Sequence, residues 1–68
     1  MNIGSQIKAI RKAKNVSQKD LAKKIGISNT YLSDIENSRC FPSIKTLYRI
    51  SKGLGEEIAL FFPPEATL

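Results

Sequence analysis

From Val16 to Asn37 the sequence carries one short pattern twice: an apolar residue, a serine, then a helical stripe, the two copies meeting across Gly26. In the first copy Leu21, Ala22 and Ile25 stand at the three- and four-residue spacings that share one helix face, and in the second Tyr31, Leu32 and Ile35 do the same. Ser17 and Ser28 can each cap the helix that follows, because a serine oxygen accepts a hydrogen bond from a first-turn amide that has no partner inside the helix. Val16 and Ile27 precede those caps and are spaced to pack on Leu21 and Leu32, the hydrophobic staple that fixes the angle of chain entry. Asp20, three after Ser17, makes a weak variant of the capping box. Gly26 can end the first helix in the left-handed conformation that disfavours a β-carbon. Two helices this short are marginal alone. The stretch therefore has to fold as a helix, a sharp turn and a helix, braced by the rest of the chain.

The rest supplies that brace. Ile3, Ile7 and Ile10 form an apolar stripe in a first helix, with Lys8, Arg11, Lys12 and Lys14 at the other positions. After the loop 37–42, in which Phe41 is expected to close the core, Ser43 can cap a fourth helix with Ile44, Leu47, Tyr48, Ser51 and Leu54 at core spacing. Gly53 weakens that helix and Gly55 ends it. Glu56 to Phe62 reads as a last short helix that starts on acids, the favourable sign for its dipole, and stops at Pro63 and Pro64. The expected fold is all-α, with five helices in one domain over 1–68. A chain of 68 residues buries only about 60% of its unfolded surface and needs efficient packing or a partner. Ile58, Leu60, Phe61 and Phe62 cannot all face inward from so short a helix, so at least one is expected to stay exposed in a monomer. Ile58, Phe61 and Phe62, within a 56–68 end, are the candidates for an interface between chains, the alternative being that both Phe side chains merely cap the core.

Charge narrows the partner. Residues 1–55 hold all eleven basic groups against Asp20, Asp34 and Glu36, whereas the remainder holds Glu56, Glu57 and Glu65 and no base. A basic body is the footprint of a polyanion, whose phosphates release condensed counterions when neutralised. The chain has no histidine and one cysteine, Cys40, so it lacks the ligands of a structural zinc site and the histidine of serine-type catalysis. The expectation is a protein that is not an enzyme, with no cofactor and no metal. Nothing in the sequence resembles a leader or a membrane span, and Cys40 has no internal disulfide partner, so the chain reads as cytoplasmic with a reduced thiol.

At about 100° per residue, Asn29, Thr30, Ser33, Asp34 and Asn37 fall within an arc of about 140°, opposite Tyr31, Leu32 and Ile35. All five are short and polar. Such side chains can approach base edges in a major groove: asparagine bonds adenine at two points, the threonine methyl meets that of thymine, and aspartate accepts from the cytosine amino group. An ordinary solvated helix face is the plainer alternative. Arg39 is the only base in the loop that follows, Lys45 stands near the amino end of the fourth helix, and both are phosphate candidates.

Gln18, Leu21, Ala22, Ile25, Gly26 and Ile27, followed by Leu32, Ile35, Glu36 and Asn37, resemble the helix-turn-helix domain shared by phage repressors, Cro proteins and xenobiotic-response-element regulators. The likeness extends from Ile3 to Phe62. It implies a lambda-repressor-like fold with the helix-turn-helix at helices two and three, its core at 17–37. It implies Asn29, Thr30 and Ser33 as leading base readers with Asp34 next. It implies Gln18 on the DNA backbone, with Ser17 beside it at the helix start; Asn37, Arg39, Lys45 and the Tyr31 hydroxyl are the further backbone candidates. It also implies that Arg11 pairs with Glu36 and is thereby aimed at a phosphate. The function implied is a transcriptional regulator binding a palindromic operator in double-stranded DNA as a homodimer, occluding RNA polymerase or touching it. The short chain and the ending GLGEEIALFF are similar to controller proteins of restriction–modification systems, with phage or plasmid repressors and antitoxins close by. The alternative is a scaffold that uses the fold to bind protein, with little operator specificity.

Overall fold

Each helix begins on a side chain that caps it. Asn2 Oδ1 accepts from the Ser5 amide, and the hydroxyls of Ser17, Ser28 and Ser43 accept from the amides of Asp20, Tyr31 and Thr46 at 3.0, 3.0 and 3.1 Å. The helices so started are α1 (Ile3–Ala13), α2 (Gln18–Ile25), α3 (Asn29–Glu36) and α4 (Ile44–Leu54), and a 3-10 turn, Ile58–Phe61, follows. This computed structural model describes residues 2–61, and no strand occurs among them. Gly26 and Gly55 close α2 and α4 with φ of 77° and 71°, the left-handed geometry that turns the chain without a β-carbon in the way.

Nine side chains make the core: Ile7 of α1, Leu21 and Ala22 of α2, Leu32 and Ile35 of α3, Leu47, Ile50 and Leu54 of α4, and Phe61. Val16 and Ile27 pack against its edge, so both staples form. Two glycines allow helices to approach closely. A β-carbon on Gly4 would fall inside the Ile35 carbonyl oxygen and 2.9 Å from that of Glu36, so α1 crosses the carboxyl end of α3 backbone to backbone. One on Gly53 would lie 2.6 Å from Ile25 Cγ2, where α4 crosses α2.

The structure departs from the sequence reading at the last helix, at Phe61, at Phe41 and in the roll of α4. The last helix is a single 3-10 turn, closed by the Leu60 amide on the Glu57 carbonyl at 3.0 Å, because four residues cannot complete an α-helical ladder. Phe61 within it is fully buried and seals the core between α1 and α4, so it has no surface to offer a second chain. Phe62, the other aromatic assigned to an interface, lies outside the described residues. Phe41 is 73% exposed while Pro42 beside it is buried. In α4 the inward stripe is Leu47, Ile50, Ser51 and Leu54, which turns Ile44 and Tyr48 outward, 67% and 50% exposed.

Candidate nucleic-acid interface

Leu32 and Ile35 anchor α3 in the core and so set which of its faces looks out. That outer face carries Asn29 and Thr30, both exposed, then Ser33 and Asp34, half-buried, and it ends at Asn37, the exposed carboxyl cap. Tyr31 is half-buried with its ring against the core. Asn37 Nδ2 donates to Ser33 Oγ at 3.3 Å, which holds two of the five polar groups in register. Asp34 faces Arg39 at 3.6 Å, and the Arg39 amide donates to the Asp34 carbonyl at 2.8 Å around Ser38, whose φ is 62°. The carboxylate that would repel a phosphate is thus offset by a guanidinium beside it.

Beneath this face lies a buried polar cluster. The Glu36 side chain, 1% exposed, accepts from Arg11 Nε at 2.8 Å and from Arg11 Nη2 at 3.0 Å. It also accepts from Gln18 Nε2 at 3.2 Å, while Arg11 Nη1 donates to the Val16 carbonyl at 2.8 Å. The Glu36 carboxylate therefore ties the end of α3 to α1 and to the first residue of α2, and Arg11 adds the loop before α2. Such ties fix the angle between the two helices of the motif. The pairing of Arg11 with Glu36 forms, and it spends three of the five Arg11 N–H groups on Glu36 and Val16 with the side chain 8% exposed. It is a buried pair.

At the mouth of α2, Ser17 spends an oxygen lone pair on the Asp20 amide, and the amides of Gln18 and Lys19 open the helix. A helix start of this kind favours an anion. Lys45 and Arg39 stand exposed at the head of α4 and in the loop before it. No group of three metal-ligating side chains occurs among the described residues, and no helix there is long and apolar enough to cross a membrane. Cys40 is a free, exposed thiol.

Two residues that support the site escape the sequence reading. Asn2 caps α1 and also accepts from Ser38 Oγ at 2.8 Å, which clips the amino end of the chain to the turn after α3. An asparagine just ahead of an apolar helical stripe is a cap signal in its own right. Gly4 is the other. A glycine inside a helix is costly enough to imply a close neighbour, although not which neighbour.

Comparison with known proteins agrees with this geometry. The chain matches the helix-turn-helix family HTH_3 over residues 7–61. It is 38% identical over 68 residues to the immunity repressor protein of Bacillus phage phi105, covering all of this chain and 47% of the repressor. It is 55% identical over 49 residues to the ImmF control region 10 kDa protein of the same phage, covering 72% of this chain and 54% of that protein. The chain thus spans about half the length of either phage protein. Among solved structures, the biofilm regulator SinR in complex with DNA superimposes with a TM-score of 0.82 at 38% identity, over 87% of this chain and 95% of that one.

Proposed function

This chain belongs to the HTH_3 helix-turn-helix family, and on that premise we propose that it is a transcriptional regulator that binds operator DNA as a homodimer, with α3 in the major groove. The observation that carries the reading is the outward row of short polar side chains on α3, mounted on the buried Arg11–Glu36–Gln18 cluster. In this reading Asn29, Thr30 and Ser33 read bases, since the first turn of a recognition helix enters deepest. Asp34 accepts from a cytosine amino group or keeps its hold on Arg39. Ser17 still has a hydroxyl proton to donate, and with the α2 amides and Gln18 it meets one phosphate. Arg39, Lys45, Asn37 and the Tyr31 hydroxyl meet others. Occupancy of the operator then regulates by occluding RNA polymerase or by contacting it.

Dimerisation rests on the end of the chain after α4. Phe61 is committed to the core, which among the described residues leaves Leu60, 44% exposed, and half-buried Ile58 as apolar surface there. The test of the whole reading is selection of bound sequences from a random duplex library at physiological salt. A palindrome with half-site centres about ten base pairs apart is the expected product. Recovery of no motif, with binding that vanishes as salt rises, would overturn operator recognition.

A further inference from the structure

Away from the α3 face, a cleft of about 320 Å³ opens between the carboxyl end of α2 and the second half of α4. Its lining is Lys24, Ile25, Tyr48, Arg49, Lys52 and Gly53, with no residue from α3 and no carboxylate. The floor is apolar: Ile25 packs on the core edge, Gly53 exposes only backbone, and Tyr48 lays a half-exposed ring alongside. The rim is cationic, and Lys52 Nζ sits 5.6 Å from the centre of that ring. One turn earlier on α4, the exposed Ile44 prolongs the apolar strip. Neither Ile44 nor Tyr48 contributes to the core, and neither has a part in the proposed contacts with DNA.

We propose that this cleft docks a short acidic, amphipathic segment of a partner protein. Its apolar side chain seats on Ile25 and Tyr48, and its carboxylates meet Lys24, Arg49 and Lys52. This is the helix-in-groove mode of recognition, in which apolar anchors give affinity and the charged rim sets register. Charge complementarity selects this occupant. A nucleic acid backbone matches the cations but brings no apolar anchor for the floor. A second copy related by a two-fold axis would set the same cations against one another, because such an interface pairs a patch with itself. Since α3 lines no part of the cleft, the partner and an operator can be held together, and the chain would join a DNA site to another protein.

The probe is a displayed library of random twelve-residue peptides selected against the full chain. Recovered peptides are then synthesised and titrated at about 0.15 M salt, with and without saturating duplex DNA. The expected winners carry several Asp or Glu residues and an apolar residue at helical spacing. Their affinity falls about tenfold or more in Tyr48→Ala and in Arg49→Glu, as loss of an anchor or a reversed rim charge does at an interface. Lys52→Glu gives the same direction, and Tyr48→Ala leaves DNA binding unchanged. Melting curves of each variant show that the domain still folds, all three residues being exposed. Winners without acidic residues would overturn the proposal, as would winners indifferent to Tyr48→Ala and Arg49→Glu. Displacement of the winners by duplex would overturn it too, and would make the cleft part of the surface that meets nucleic acid. Because the peptide titration does not depend on any operator, failure here is separate from failure of operator recognition.

Discussion

Three hydrogen bonds converge on the Glu36 carboxylate, two from Arg11 and one from Gln18, and its side chain is 1% exposed. Removing one partner of a buried ion pair leaves the other charge uncompensated, at about 3–5 kcal/mol, a large share of the roughly 5–15 kcal/mol that holds a domain together. Glu36→Gln is therefore expected to lower the melting temperature by more than about 12 °C, since a domain this small loses roughly 4–8 °C per kcal/mol. Replacing both partners, Arg11→Met with Glu36→Leu, recovers much of that stability because no charge is stranded. Thermal melts followed by circular dichroism decide it, and a Glu36→Gln protein that melts like the parent would show that the cluster carries little. Gly4→Ala tests a different physical limit. Its β-carbon would meet the Ile35 carbonyl oxygen, backbone that cannot swing aside, so α1 must shift off α3. The expected loss is about 1–3 kcal/mol, as for overpacking in a core, although alanine is the better helix former. That reversal of propensity is measurable in the same melts.

At the scale of elements, α2 and α3 were readable from sequence and α4 was only half so. The caps, the staples and the left-handed Gly26 are local: each needs only residues within about one turn, and each is where the sequence placed it. Which way α4 rolls is not local. Its apolar residues cover more of the circumference than one packing face, and the crossing at Gly53 turns Ile50 inward at the expense of Ile44 and Tyr48. Phe41 shows the same limit, since the choice between it and Pro42 as the residue that fills the core depends on how the loop reaches α4. The inward turn of Arg11 was equally hidden, because the Val16 carbonyl that takes its third hydrogen bond enters only once the loop is folded. The polar row on α3, by contrast, follows from period alone, and it supports a contrast between variants. Asn29→Ala or Thr30→Ala is expected to relax preference at one base position, at about 1–3 kcal/mol, while Arg39→Ala weakens all sequences alike and lowers the salt slope by about one. Titrations against the selected operator and a scrambled duplex over a range of salt separate the two. If Arg39→Ala changed the preferred sequence, its pairing with Asp34 would be part of base reading and not of backbone contact.

One molecule presents one reading helix, eight residues or about 12 Å long, and the described residues extend 34 × 23 × 19 Å. A helix of that length spans a few base pairs in one major groove, too little to single out a site among the roughly 10⁶–10⁹ competing sites of a genome. Two copies whose reading helices sit about 34 Å apart, one turn of DNA, would square the discrimination without adding a contact to either. With Phe61 drawn into the core, the exposed apolar area among the described residues of the end that must join them rests on Leu60 and the edge of Ile58. The Gln6 side chain donates to the Leu60 carbonyl at 2.8 Å, so the turn that shows Leu60 is itself pinned to α1. Leu60→Asp is accordingly expected to leave the melting temperature of a dilute sample nearly unchanged and the preference within a half-site intact. It should weaken binding to the full palindrome by at least about tenfold, because the coupling between half-sites is lost. Sedimentation at high micromolar concentration then shows dimer for the parent chain and monomer for the variant. A parent chain that stays monomeric under those conditions, yet selects a palindrome, would place the coupling in the DNA or in chain beyond the Leu60 turn.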